Sequence, residues 1–249
     1  MRVNVSYGII CWYWNKKTRG WEVCLVQKRL TYAFSEFVAG NYNMKELIPF
    51  LNKLTVEERM IIRSLDFRII WYHAHQYDPN ETATRNAHKN NYNNCKKIFE
   101  RNFIVHSNGK NLRNAIEATS HNNITRIWGI PKGHKIDNNE SDLDAALREF
   151  REETHISLNS IRIVPKCTTY HSFIGDDEVR YKYTFYNALF VGERKMNPLM
   201  RDCIEIVGMT WVPIGKVSLI APELDSILKR THASISQRVR APQVDVRNI

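Results

Sequence analysis

Apolar positions follow two different periods along the chain. In "VSYGIICWYW" and "WEVCLVQKRL" they gather into short β-rich runs, and the "NKKTRG" between them, with Gly20, predicts a hairpin. From about residue 41 to 125 the texture changes. "NMKELIPFLNKL", "TVEERMIIRSL", "YNNCKKIFERNFIV" and "GKNLRNAIEAT" place apolar residues three and four apart, which predicts helices. Thr55 and Glu58 have the spacing of a capping box. The asparagine-rich "PNETATRNAHKNNYNN" reads as loop. Strand-like runs resume in "SIRIVPKCTTY", "VRYKYTFYNALFV" and "IVGMTWVPI", and a last helix, "APELDSILKR", precedes a polar tail. No internal repeat interrupts this order. A stretch of about 85 residues is too long for a structureless loop in a compact domain. The pattern therefore predicts an α/β host, 1–40 and 126–230, carrying an inserted helical subdomain at 41–125 and a basic tail at 231–249.

Charge and cysteine usage narrow the class. The 249 residues carry 36 Lys and Arg against 26 Asp and Glu, a formal +10. Such an excess favours polyanionic partners, and it also serves plain solubility. The five cysteines are scattered and never spaced C-x-x-C, which argues against a disulfide framework or a cysteine zinc site and for reduced thiols. No run approaches the ~18 apolar residues of a membrane span, and the first residues lack a signal-peptide pattern. The expectation is a cytoplasmic protein with no membrane insertion.

Within this basic chain, "REFREE" crowds Glu149, Glu152 and Glu153 into five residues. Ser141 and Asp144 are spaced to cap a helix start, after which Leu143, Ala146, Leu147 and Phe150 form one apolar stripe. The three glutamates, at i, i+3 and i+4, share a second face, where like charges repel by a few tenths of a kcal/mol per pair. They also lie toward the helix C-terminus, which disfavours anions. Taken alone, such a cluster reads as a solvated face with Arg148 and Arg151 offsetting the repulsion. A bound cation would offset it as well, and carboxylates at this spacing suit a hard divalent ion.

The frame around the cluster favours the cation. It runs Gly133-x6-Glu140-x7-Arg148-Glu149-Phe150-x-Glu152-Glu153-x-His155-Ile156. This resembles the Nudix box, usually written G-x5-E-x7-R-E-U-x-E-E-x-G-U. The box here, 133–156, departs in three ways. Its first spacing is one residue longer, which leaves the usual bracing of the helix arginine by Glu140 open. Phe150 replaces an aliphatic residue, and His155 replaces a glycine that ends the helix in a left-handed turn. "IWGIPKGHK" with "NESDLDAALREF", and "VQKRLTYAFSEF" before the helical insert, are similar to mRNA-decapping Nudix enzymes of large cytoplasmic DNA viruses.

The resemblance implies a Nudix α/β/α sandwich with an inserted helical RNA-binding domain, acting on capped mRNA to release m7GDP and leave a 5′-monophosphate. It implies Mg2+ or Mn2+ held by Glu149, Glu152 and Glu153, with the Gly133 carbonyl and Glu205 as further ligands. Glu153 or Glu205 would be the base, and Glu152 a ligand or a partner of Arg148. Lys132 and Lys135 would meet the bridging phosphates, and aromatic residues the sequence does not single out would hold the methylated guanine. RNA contacts are expected from the insert, which has 12 Lys and Arg against 8 acids, with Lys96, Lys97, Arg101, Lys110 and Arg113 as candidates. Diphosphoinositol polyphosphates are the alternative substrates, and a non-catalytic RNA-binding module is the alternative class. A viral member would work in the host cytoplasm.

Overall fold

The structure, a computed structural model, describes residues 3–79, 81, 86–120, 127–174, 179–192 and 205–238. It forms two compact units, one of residues 1–27 with 128–249 and one of residues 28–127. Among the described residues no helix is long and apolar enough to cross a membrane. Cys11, Cys24, Cys95 and Cys167 are free thiols and buried, while Cys203 lies outside the described residues.

The chain opens with β1 (Val3–Asn15) and β2 (Gly20–Lys28), an antiparallel hairpin with Trp14 opposite Trp21. The turn is held by Asn15, whose side-chain oxygen accepts from the Lys17 and Thr18 amides, the local bonding that makes Asn a turn residue.

Among the described residues of the second unit six α-helices follow: α1 (Tyr32–Ala39), α2 (Leu47–Leu51), α3 (Val56–Arg63), α4 (Phe67–His75), α5 (Asn86–Phe99) and α6 (Lys110–Glu117). A π-helical turn, Glu100–Ile104, continues α5. Their core is aromatic: Phe34, Phe37, Trp71, Phe99 and Phe103 are buried together with Leu51, Leu54 and Ile62. Glu58 is buried at the heart of the unit. Its carboxylate accepts from the Thr31 amide at 2.6 Å, the Thr31 hydroxyl at 2.8 Å and the Thr55 amide at 2.8 Å. One side chain thus completes the expected capping box of α3 and fixes the residue that caps α1.

Two boundaries differ from the expectation. Residues 28–40 go with the helical unit, because Phe34 and Phe37 are buried in its core and Thr31 is tied to Glu58. The asparagine-rich stretch is helical from Asn86 onward. Asparagine is a weak helix former, but Tyr92, Cys95 and Phe99 recur at helical spacing and are buried, so packing overrides propensity.

The first unit resumes with β3 (Trp128–Gly129), β4 (Lys132–Gly133), α7 (Asp142–Thr154), β5 (Ile161–Ile174), β6 (Arg180–Phe190), β7 (Ile206–Pro213), α8 (Val217–Ile220) and α9 (Pro222–Arg238). The sheet order is β3-β2-β1-β6-β5, with β4 also on β1 and β7 on β2. β1 and β6 run parallel in register from Val3 opposite Arg180 to Trp12 opposite Leu189. A central strand buried on both faces reads as a continuous apolar run, which accounts for "GIICWYW". Ile9 and Cys11 face a core shared with Ala146 and Phe150 of α7; Ile10 and Trp12 face the opposite core, shared with Ile227, Leu228 and Ile235 of α9. Helices on both faces make the expected α/β/α sandwich.

The polar tail begins later than expected. Residues 231–238 extend α9, with Thr231 and Ile235 buried, and only residues 239–249 lie outside the described part.

Candidate active site

Helix α7 starts where the capping pattern placed it. Ser141 adopts extended backbone and its side chain accepts from the Asp144 amide. It ends at His155, which takes the left-handed conformation (φ 55°) in place of the usual glycine and donates its amide to the Arg151 carbonyl. A histidine reaches this region at some cost, and the chain accepts it. Phe150 is fully buried against the sheet.

Arg148 is the hub of the site. Its Nε donates to Glu140 Oε1 at 2.8 Å and one terminal nitrogen to Glu140 Oε2 at 3.2 Å. The same nitrogen also donates to the His134 carbonyl at 2.7 Å, and the other to Glu149 at 2.7 Å and Glu152 at 3.1 Å. The bracing contact of Glu140 is therefore made despite the longer spacing. The loop absorbs the extra residue through Asp137, which accepts from the Asn139 and Glu140 amides, and through Glu140, which accepts from the Ile136 amide. Its bonds to Glu140, then to Glu149, push the Arg148 pKa up against the opposing effect of burial. In return Arg148, then the Ile136 amide, holds the Glu140 carboxyl below its ordinary value.

Gly133 sits against this cluster. A Cβ built on it would overlap the carboxylate of Glu149, so any larger residue would push that carboxylate aside. Next to it, Lys132 donates its amide to Glu153 Oε2 at 3.1 Å, and Glu153 is only 4% exposed. β4 thus delivers both loop residues to the glutamate face through its pairing with β1, where Gly8 opposite Lys132 leaves room for the close approach.

The remaining expected residues are placed unevenly. The Lys132 ammonium lies 4.8 Å from the centre of the Tyr183 ring, a cation–π contact. Lys135 pairs with Asp142 at 2.6 Å and lies over Tyr7. Glu205 is exposed immediately before β7. Among the described residues no three acidic, histidine or cysteine side chains are grouped to hold a metal as they stand. Arg148 engages one oxygen of Glu149, Oε1, and one of Glu152, Oε2, which orients both carboxylates without using up the donor capacity of either. The donor chemistry nonetheless fits a hard cation: oxygen donors, crossed by a glycine notch that a Cβ would fill. In the helical unit Lys96 pairs with Glu100 at 3.7 Å, while Lys97, Arg101, Lys110 and Arg113 are exposed.

One feature escaped the sequence reading. On β5 and β6, Phe173 stacks on Tyr181 with ring centres 5.2 Å apart and planes 16° off parallel, and Tyr183 and His171 continue the aromatic face. Phe173 is 40% exposed, and the face adjoins the Lys132 ammonium through Tyr183. The signal was there: aromatics at alternate positions in two runs that pair antiparallel, with Phe173 opposite Tyr181 and His171 opposite Tyr183.

A NUDIX domain matches residues 112–232. The chain is 35% identical over 231 residues to the mRNA-decapping protein g5R of African swine fever virus (isolate Pig/Kenya/KEN-50/1950), covering 89% of each. It is 34% identical over 231 residues, again 89% of each, to the g5R protein of the isolate Warthog/Namibia/Wart80/1980. Among solved structures, a C. elegans Ap4A hydrolase binary complex aligns with a TM-score of 0.47 and 13% identity, covering 94% of this chain and 99% of that one. The chain belongs to the Nudix hydrolase family, together with these viral mRNA-decapping proteins.

Proposed function

We propose that the chain is an mRNA-decapping hydrolase that cleaves within the phosphate bridge of the 5′ cap, releasing m7GDP and leaving 5′-monophosphate RNA. The observation that carries this reading is the 35% identity spanning 89% of both chains, in a protein whose box keeps Arg148, Glu149, Glu152 and Glu153. The work site is the host cytoplasm if the chain is viral, as its relatives are.

Glu149, Glu152 and Glu153, with the Gly133 carbonyl and Glu205, are the residues that would hold Mg2+ or Mn2+. When bound, such an ion neutralises phosphate oxygens and makes an attacking water more acidic. Glu153 or Glu205 takes the water's proton, and the close approach of the Lys132 amide to Glu153 supports a fixed position for that carboxylate. Arg148 orients Glu149 and Glu152, and Glu140 orients Arg148. The ammonium groups of Lys132 and Lys135 oppose the charge that develops on the bridging phosphates. The stacked pair Phe173 and Tyr181, with Tyr183 beside Lys132, suits a cationic methylated guanine, which aromatic faces attract. Lys96, Lys97, Arg101, Lys110 and Arg113 bind the RNA backbone from the helical unit.

The test is incubation of cap-labelled RNA with the protein and Mg2+ or Mn2+, beside the Glu153→Gln variant. Metal-dependent release of m7GDP, lost in the variant, is expected. Intact capped RNA with either metal would refute the proposal. The two lysines suit a diphosphoinositol polyphosphate as well, and competition between that substrate and capped RNA measures the preference.

A further inference from the structure

Away from the glutamate face, the helical unit contains a pocket of about 280 Å³ between α3 and the end of α6. Val56, Arg59, Met60 and Arg63 line it from α3, at positions i, i+3, i+4 and i+7 of one helix face; Ile116, Glu117, Thr119 and Ser120 line it from the other side. Its construction is mixed. Val56 is 45% and Met60 69% exposed, so the α3 wall presents apolar side chains beside its two arginines. Arg59 is only 6% exposed and donates to the Ser120 carbonyl at 3.2 Å. Ser120 is itself fixed, its amide and hydroxyl both donating to Asn52. At the rim Arg63 pairs with Glu117 at 2.9 Å, with both side chains more than half exposed. Such a pair is weak and readily exchanged.

Size, charge and wall chemistry point to one occupant. The volume lies at the small end of ligand pockets, enough for a flat ring system and too little for a docking helix. Two guanidinium groups stand against one carboxylate, in a unit of 15 Lys and Arg against 9 Asp and Glu, a net +6. Thioether and branched aliphatic walls accept the face of a base. Single-stranded RNA offers unstacked bases with exposed faces, read against side chains or guanidinium planes, and phosphates that arginine meets. We infer that the pocket between α3 and α6 receives one unstacked nucleotide of single-stranded RNA, its base against Val56, Met60 and Ile116 and its phosphate on Arg63 in exchange for Glu117. The inference rests on the decapping reading, since it assigns a place to the RNA body.

The test uses the full chain and a short single-stranded RNA with a 5′-monophosphate, so that no catalysis intervenes. Met60→Glu, which sets a carboxylate against the base and close to the phosphate, is expected to weaken binding about tenfold. Met60→Leu should retain wild-type affinity, and Arg63→Ala should lower the salt slope by about one. Binding of a duplex RNA and turnover of a small cap analogue should be unchanged, which also reports that the variants fold. If the wild type binds the RNA and both Met60→Glu and Arg63→Ala bind it equally well, the pocket assignment falls while decapping stands, and the groove is left to a protein partner. Equal weakening for duplex RNA would also overturn it. If the wild type neither binds RNA nor releases m7GDP, the functional reading itself fails and the pocket assignment with it.

Discussion

A single guanidinium decides the geometry of the glutamate face. Arg148 meets Glu140, Glu149, Glu152 and a carbonyl at once, so two of the three glutamates on the face are held side by side before any ion arrives, while Glu153 accepts from the Lys132 amide. Glu140→Gln is expected to loosen this clamp. The Glu140 carboxyl is held below its ordinary value by Arg148 first and the Ile136 amide second, so the folded pKa is depressed. Its contribution to stability is therefore present above the unfolded-state pKa and lost as pH falls through the folded one. Below about pH 5 the urea midpoint of the wild type should fall more steeply than that of Glu140→Gln; parallel curves would show that the pair adds no pH-dependent stability. Gly133→Ala tests the notch. Its methyl group would overlap the Glu149 carboxylate and displace a reacting geometry by about an ångström, an error worth roughly a hundredfold in turnover. kcat for cap hydrolysis should drop by that order while the thermal midpoint stays near wild type.

Among the elements, buried polar side chains hold strand to strand and helix to helix. Asn187 on β6 is fully buried; it accepts from the Trp12 indole at 2.9 Å and donates to the Cys167 carbonyl and the Thr169 hydroxyl, which in turn meets Thr231 on α9. Asn187→Leu leaves the indole N–H of Trp12 without this acceptor and should cost about 1–3 kcal/mol in denaturant unfolding. Glu58→Ala removes an acceptor from the amides of Thr31 and Thr55 and should cost about 2 kcal/mol or more. The start of α7, the capping box of α3 and the opening hairpin of β1 and β2 were legible because each follows a local rule. The bracing of Arg148 by Glu140 was not, because it depends on how a loop takes up one extra residue. The start of α5, before Tyr92, and the far end of α9 were hidden for another reason. Their helical character comes from burying Tyr92, Cys95 and Ile235, which tertiary packing decides and composition does not. The aromatic face needed the pairing of β5 with β6, which no single strand reveals.

At the scale of the whole molecule, the net +10 charge and the basic helical unit would make the proposed RNA binding an electrostatic matter. Raising salt from 50 to 200 mM should weaken affinity for a single-stranded RNA by at least about tenfold, and turnover of a small cap analogue should change far less. A flat salt response would remove the phosphate contacts assigned to Lys96, Lys97, Arg101, Lys110 and Arg113. The insertion joins the sandwich at neighbouring points, since Gln27 and Trp128 face each other across β2 and β3. The parallel pairing of β1 with β6 has a consequence in time. Trp12 meets Asn187 across 175 positions of chain. At a synthesis rate of about 5–20 residues per second, the first hairpin leaves the ribosome roughly ten to thirty seconds before the strand that completes its sheet. Through that interval Ile9, Ile10, Cys11 and Trp12 form an apolar edge open to wrong partners, while the helical unit, rich in near-neighbour contacts, has time to fold behind it. Yield during expression should therefore depend on chaperone supply and growth temperature more than on the stability of the finished protein.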